Sequence, residues 1–167
     1  MSAAPRSGSR TTAIAGLLWL VAARAAPGPA AVQPEILHEP IGCVVAGELP
    51  LIEALIGPAD SIMDARVYFK VGSRITRYFV EMQQREGKFV GTLPKPTLGD
   101  KTVRYSVRAW AIGRIESRTD ETVARVVRDE AECPAGTRAA ARESAGRAIV
   151  FNAATGKSAT WPVPKGH

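Results

Sequence analysis

Residues 102–112 alternate between apolar and polar side chains more strictly than any other stretch of the chain. Val103, Tyr105, Val107, Ala109 and Ala111 fall on one side of a period-two ribbon, and Arg104, Ser106, Arg108 and Trp110 on the other. A helix would scatter these residues around its circumference, whereas a strand puts each set on one face. One face is therefore expected to be buried and the other wet, as in an antiparallel sheet covered on one side. Such a strand needs neighbours, and the rest of the chain has to supply them.

Several runs fit that requirement. Residues 49–58 form an apolar run bounded by Pro50 and Pro58, suited to a first edge strand, strand A. Residues 65–71 alternate with Ala65, Val67, Phe69 and Val71 inward, as strand B, and residues 77–82 put Tyr78, Val80 and Met82 on one face and leave Phe79 pointing out. Glu86-Gly87 marks a turn into a short strand at 88–93, stopped by Pro94 and Pro96, and residues 121–128 make a last strand before Cys133. The total is six or seven short strands at spacings of roughly 10 to 15 residues, the rhythm of a β-sandwich. No amphipathic helix of useful length interrupts them. With 46% hydrophobic and 23% charged residues, the chain can bury a core, and its 167 residues make room for one domain plus tails.

The ends read differently. Arg6 and Arg10 precede an uncharged apolar run at 11–23, and Ala23-Arg24-Ala25 supplies a small-x-small cleavage pattern, so residues 1–25 are expected to be a secretory signal. The apolar run, about 13 residues, is too short for the roughly 20 that cross a bilayer. No transmembrane helix is expected after its removal. Residues 26–42 carry Pro27, Pro29, Pro34 and Pro40 and read as an extended linker. The domain proper is placed at 43–133, with 134–167 as a tail. In that tail, 137–146 reads as a linker sooner than a short helix, because its apolar face is only alanine. Residues 147–152 and 158–161 suggest a terminal hairpin.

Export also bears on the cysteines. Cys43 and Cys133 bracket the strand-rich region, and an even count in an exported chain favours a disulfide. Losing the leader removes three arginines and no acid, so the formal charge falls from +6 to +3. That is too mild to imply nucleic acid as a partner. The signal type, together with a composition rich in Ala, Arg and Gly and with Asn152 as the only asparagine, points to a bacterial envelope protein of the periplasm, outer envelope or exterior.

With Leu93-Pro94 before a loop and Tyr105-x-Val107-x-Ala109 after it, the region 47–130 resembles fibronectin type III and related immunoglobulin-like modules. The resemblance implies an antiparallel β-sandwich of about seven strands, with the strand from Thr102 as strand F. Tyr105 would then be the structural tyrosine that anchors the preceding corner. It implies nothing about a ligand, because such folds host many functions.

The motifs of chemistry are weak. Gly156-Lys157-Ser158 lacks the glycine a phosphate loop needs five residues earlier, where Phe151 stands, and Pro162 and Pro164 forbid the helix that should follow. The two histidines, His38 and His167, have no framed partner and are expected to be exposed. The acids are scattered. No enzyme, metal or cofactor is expected. One constellation remains: if the strand of Arg77 and Phe79 neighbours the strand of Arg104, Arg108 and Trp110, the two make a cationic, aromatic surface for a protein partner or an envelope glycan. The same residues would equally serve as cover for the outer sheet face.

Overall fold

The computed structural model describes Met1 and residues 32–161. Apart from Met1, the expected signal at 1–25 lies outside the described residues. Thirteen strands are present among those described: β1 (Glu35–Leu37), β2 (Cys43–Val45), β3 (Leu49–Gly57), β4 (Ile62–Val71), β5 (Tyr78–Glu81), β6 (Gln83–Arg85), β7 (Lys88–Thr92), β8 (Thr102–Ala111), β9 (Ile115–Arg118), β10 (Thr122–Val127), β11 (Ala141–Glu143), β12 (Val150–Asn152) and β13 (Ser158–Ala159). The all-β reading holds. The number of strands exceeds the expected seven because several runs are divided between sheets or too short to read from alternation.

Two sheets result. The smaller has the order β1-β3-β7-β6, with β11 also against β3, and the larger has the order β13-β12-β5-β4-β8-β10-β2, with β9 also against β8. The strand from Thr102 is central to the larger sheet. It runs antiparallel to β4, with Ala65 opposite Ala109 and Val67 opposite Val107, so the inward residues read from sequence meet across one ladder. Val67, Val107 and Ala109 have no exposed surface. They face Ile52, Ala54 and Phe89 of the smaller sheet in a single buried cluster.

Local chemistry fixes the corners. Glu86 and Gly87 both have positive φ, 49° and 80°, as a two-residue hairpin of the twist-matched kind requires, and they join β6 to β7. Gly91 is needed for a different reason. A Cβ there would lie 2.8 Å from Val67 Cγ2, so the backbone of β7 approaches β4 closer than any side chain allows.

Segments of the chain cross between the two sheets. Met82 carries the chain from β5 to β6, its N–H donating to Ala65 O at 2.8 Å and its side chain turned into the core. Residues 38–42 carry it from β1 to β2. Here the described part of the expected linker, residues 32–42, is corrected: β1 pairs with β3, Glu35 opposite Gly57, and Ile41 is buried. Pro34 and Pro40 lie outside the three paired residues, so they do not block the ladder.

The tail behaves as a strap. Gly42 N–H donates to Arg138 O at 2.8 Å and Ala140 N–H to Cys43 O at 3.0 Å, which covers the β2 edge. β11 then pairs with β3, as a strand and not a helix. Glu143 next meets Arg85 of β6 at 2.8 Å. Arg147 and Ile149 line a cavity of about 170 Å³ with Glu81 and Val90. β12 finally pairs with β5 and folds back on β13, which is the terminal hairpin suggested by the sequence. Cys43 and Cys133 form the expected disulfide at the start of this strap.

Candidate functional site

The outward face of the larger sheet follows from its registers. Asp64, Arg66, Tyr68 and Lys70 of β4 alternate with the buried residues, as do Arg104, Arg108 and Trp110 of β8, while Ser106 on the same side is itself buried. Phe79 of β5 lies opposite Tyr68, and Phe151 of β12 lies opposite Phe79. Glu116 and Arg118 of β9 lie opposite Trp110 and Arg108.

Aromatic rings and guanidiniums interleave on this face. The Arg66 guanidinium sits 4.5 Å from the Phe79 ring centroid and 5.3 Å from that of Trp110, and Arg108 sits 4.5 Å from that of Tyr68. Each such contact contributes about 0.5–2 kcal/mol, depending on how dry it is. Arg66 is also paired with Asp64 at 2.6 Å and Arg108 with Glu116 at 3.3 Å. Burial alone would lower the Arg66 pKa, but Tyr68 and Asp64 outweigh it and hold the group above its ordinary value, so it is charged at every accessible pH. The Nε atoms of Arg66 and Arg108 are buried with no hydrogen-bond partner, the rings having excluded water from that side.

The residues singled out from sequence are partly brought together. β4 stands between β5 and β8, so Phe79 does not neighbour Trp110 directly; Arg66 and Tyr68 join them. Arg77 and Arg104 do converge, on opposite oxygens of Glu121 at 3.2 and 3.6 Å. Arg104 is the most open, with half its side chain exposed, whereas Arg108 keeps 22%. Phe79 is a correction: it is on the outward face as expected, yet only 4% exposed, because Phe151 stacks on it at 5.0 Å and Arg66 covers the rest. Sequence reasoning missed Arg66 and Tyr68, although their alternation with Val67 and Phe69 carried the signal. It missed Phe151 because no local pattern names the strand that β12 pairs with.

Tyr105 is 1% exposed, but its hydroxyl does not anchor the preceding corner. It accepts from Ile41 N–H at 2.9 Å and meets His38 Nε2 at 2.9 Å, so it pins the crossover between β1 and β2. His38 is correspondingly half-buried, not exposed. Its Nδ1 lies 2.7 Å from Glu53 O, a position that requires Nδ1 to carry the proton and leaves Nε2 to accept from the phenol. Burial raises the Tyr105 pKa above 10.0; the bond from Ile41, Thr122 and the charge of Arg138 offset this in part.

Among the described residues no three His, Cys, Asp or Glu side chains gather as a metal site requires. No helix there is long and apolar enough to cross a membrane. Compared with family models, curated proteins and solved structures, the chain finds no match in any of the three.

Proposed function

We propose that this chain is an exported, non-enzymatic, immunoglobulin-like module of the bacterial envelope that works by contact through the outward face of its larger sheet. Strand order supports the architecture. In immunoglobulin-like sandwiches one sheet has the order A-B-E-D and the other C′-C-F-G. The chain follows the same sequence of elements, with β1-β3-β7-β6 as the first sheet and β5-β4-β8 flanked by β9 and β10 as the second. β2 and the strap β11–β13 are additions to that plan.

The observation that carries the functional reading is the interleaving of Arg66, Arg108, Tyr68 and Trp110 on adjacent strands, with Arg104 open beside them. Side chains held on a sheet lose little entropy on binding, and arginine with tryptophan is the combination enriched at energetic centres of interfaces. A glycan-stacking platform is the less favoured use. Its rings would have to present free, coplanar faces, whereas Tyr68 and Trp110 are tilted by 59° and their neighbours are capped by guanidiniums.

The test is a pull-down from envelope extract with wild type and with an Arg104→Ala/Arg108→Ala/Trp110→Ala variant, melting curves first establishing that both are folded. Loss of a partner with the variant supports the reading. Equal recovery of every partner by both proteins sinks it.

A further inference from the structure

Three strands of the larger sheet place arginine in one register row, which Glu81 of β5 ends on the far side of Arg66. Arg66 of β4 lies opposite Arg108 of β8, and Arg108 lies opposite Arg118 of β9. Strands in a sheet are about 4.8 Å apart, so the three residues share a strip about 10 Å long. Like charges directly opposite one another oppose folding. Cover for a sheet face needs no such row, since any long side chain would serve.

A second cationic pair lies four residues along each strand, where Lys70 is opposite Arg104. Between the two rows stand Tyr68 and Ser106, which are uncharged. Acids neutralise the surface only in part. Asp64 pairs with Arg66, Glu116 with Arg108 and Glu121 with Arg104, while Lys70 and Arg118 have no acidic partner within 4.0 Å among the described residues.

Resting on the reading that this face is the working surface, we propose that the Arg66–Arg108–Arg118 row, extended by Lys70 and Arg104, binds a soluble polymer through its phosphate groups. Each internal phosphate of such a polymer carries one negative charge and two unbridged oxygens set at a tetrahedral angle, so that the two can take donors from adjacent guanidiniums. A carboxylate can also bridge two guanidiniums, as Glu121 does between Arg77 and Arg104, but a polyuronate spaces its carboxylates one to a sugar ring and so sets fewer charges over the same rows than a chain of consecutive phosphates. A flexible chain of phosphates could cross from one cationic row to the other, roughly 13 Å away at four residues of strand rise. A lipid surface fits less well. The large rings lie beneath guanidiniums or beneath Phe151 and do not project toward a bilayer.

The test is calorimetric titration of the full chain with inorganic polyphosphate at low and at physiological salt. Polygalacturonate, neutral dextran and phosphatidic-acid vesicles are run in parallel. Wild type should bind polyphosphate with affinity that falls as salt rises. Arg118→Gln should weaken binding several-fold, and Arg118→Gln with Lys70→Gln further, each with a shallower salt slope. Arg142→Gln, which removes a cation from β11 in the smaller sheet, should leave binding unchanged. The proposal is overturned by any of four results: no binding of polyphosphate, equal binding of polygalacturonate, tighter binding to vesicles, or an equal effect of Arg142→Gln. If polyphosphate fails while the triple variant of the pull-down still loses its partner, this inference alone falls; if neither responds, the reading of the face falls with it.

Discussion

At the scale of single residues, Tyr105 and His38 determine how the chain enters the fold. That Tyr105 would be buried was legible, because its place in the alternation put it inward. Its partner was not, since Ile41 lies 64 residues upstream and no periodicity reports a contact at that range. His38 was misread for the same reason: in sequence it stands among prolines, and only the fold brings Glu53 O and the Tyr105 hydroxyl to its two nitrogens. Tyr105→Phe keeps the ring and removes the hydroxyl, leaving Ile41 N–H and His38 Nε2 without a partner. A loss of about 1–3 kcal/mol in urea unfolding is expected. The raised pKa adds a pH signature. A phenol held neutral by burial contributes stability that is fully present below its unfolded value near 10 and is lost as pH rises through the folded value. Wild type should therefore lose stability above about pH 10 more steeply than Tyr105→Phe, whose curve lacks this contribution. Parallel melting curves for the two proteins between neutral pH and the alkaline limit would remove the assignment.

At the scale of elements, the main error in reading the sequence was one strand long. β1 has only three residues, lies in a proline-rich segment and shows no alternation, so the run at β3 read as the first strand and the runs at β4 and β5 as the second and third. That labelling made the strand of Arg77 and Phe79 a direct neighbour of β8, a position β4 in fact holds. The long strands were legible because their burial patterns alternate over nine or ten residues. The terminal hairpin was legible as a hairpin but not as a cover. Phe151 stacks on Phe79 with ring planes 13° apart, and β12 pairs with β5 through two residues, so this one ring carries much of the attachment. Phe151→Ala should cost about 1–3 kcal/mol, less than for a fully buried phenylalanine because Phe151 keeps part of its surface exposed. The effect should be local: amide exchange should quicken in β5, β12 and β13 and stay slow in β4 and β8. Uniformly faster exchange would mean that the hairpin is part of the core unit and not a cover on it.

At the scale of the whole molecule, the strap covers edges of both sheets. Residues 138–140 cover the β2 edge, β11 occupies the β3 edge beside β1, and β12 covers β5. Open edges invite pairing with other chains, so a single segment that protects three of them has a clear physical purpose. Its buried hydrophobics are only Ala140 and Val150, with Ala148, Phe151, Ala159 and Trp161 partly buried against the rest. Burial at about 25 cal/mol per Å² is thus opposed by the entropy of ordering the segment. The disulfide adds to what burial gives. It joins Cys43, fully buried on β2, to Cys133 at the root of the strap, 90 residues away. In the chain-entropy account a loop of that size is worth about 4–5 kcal/mol, with somewhat less realised in practice. Replacing both cysteines by alanine should thus lower unfolding stability by about 3–5 kcal/mol. Because the tie is at the root of the strap, limited proteolysis should cut the variant first within residues 134–149 and leave the ladder of β4 and β8 intact. If the variant instead unfolds within 1 kcal/mol of wild type and resists cleavage there, the strand pairings alone hold the strap and the disulfide is incidental to it.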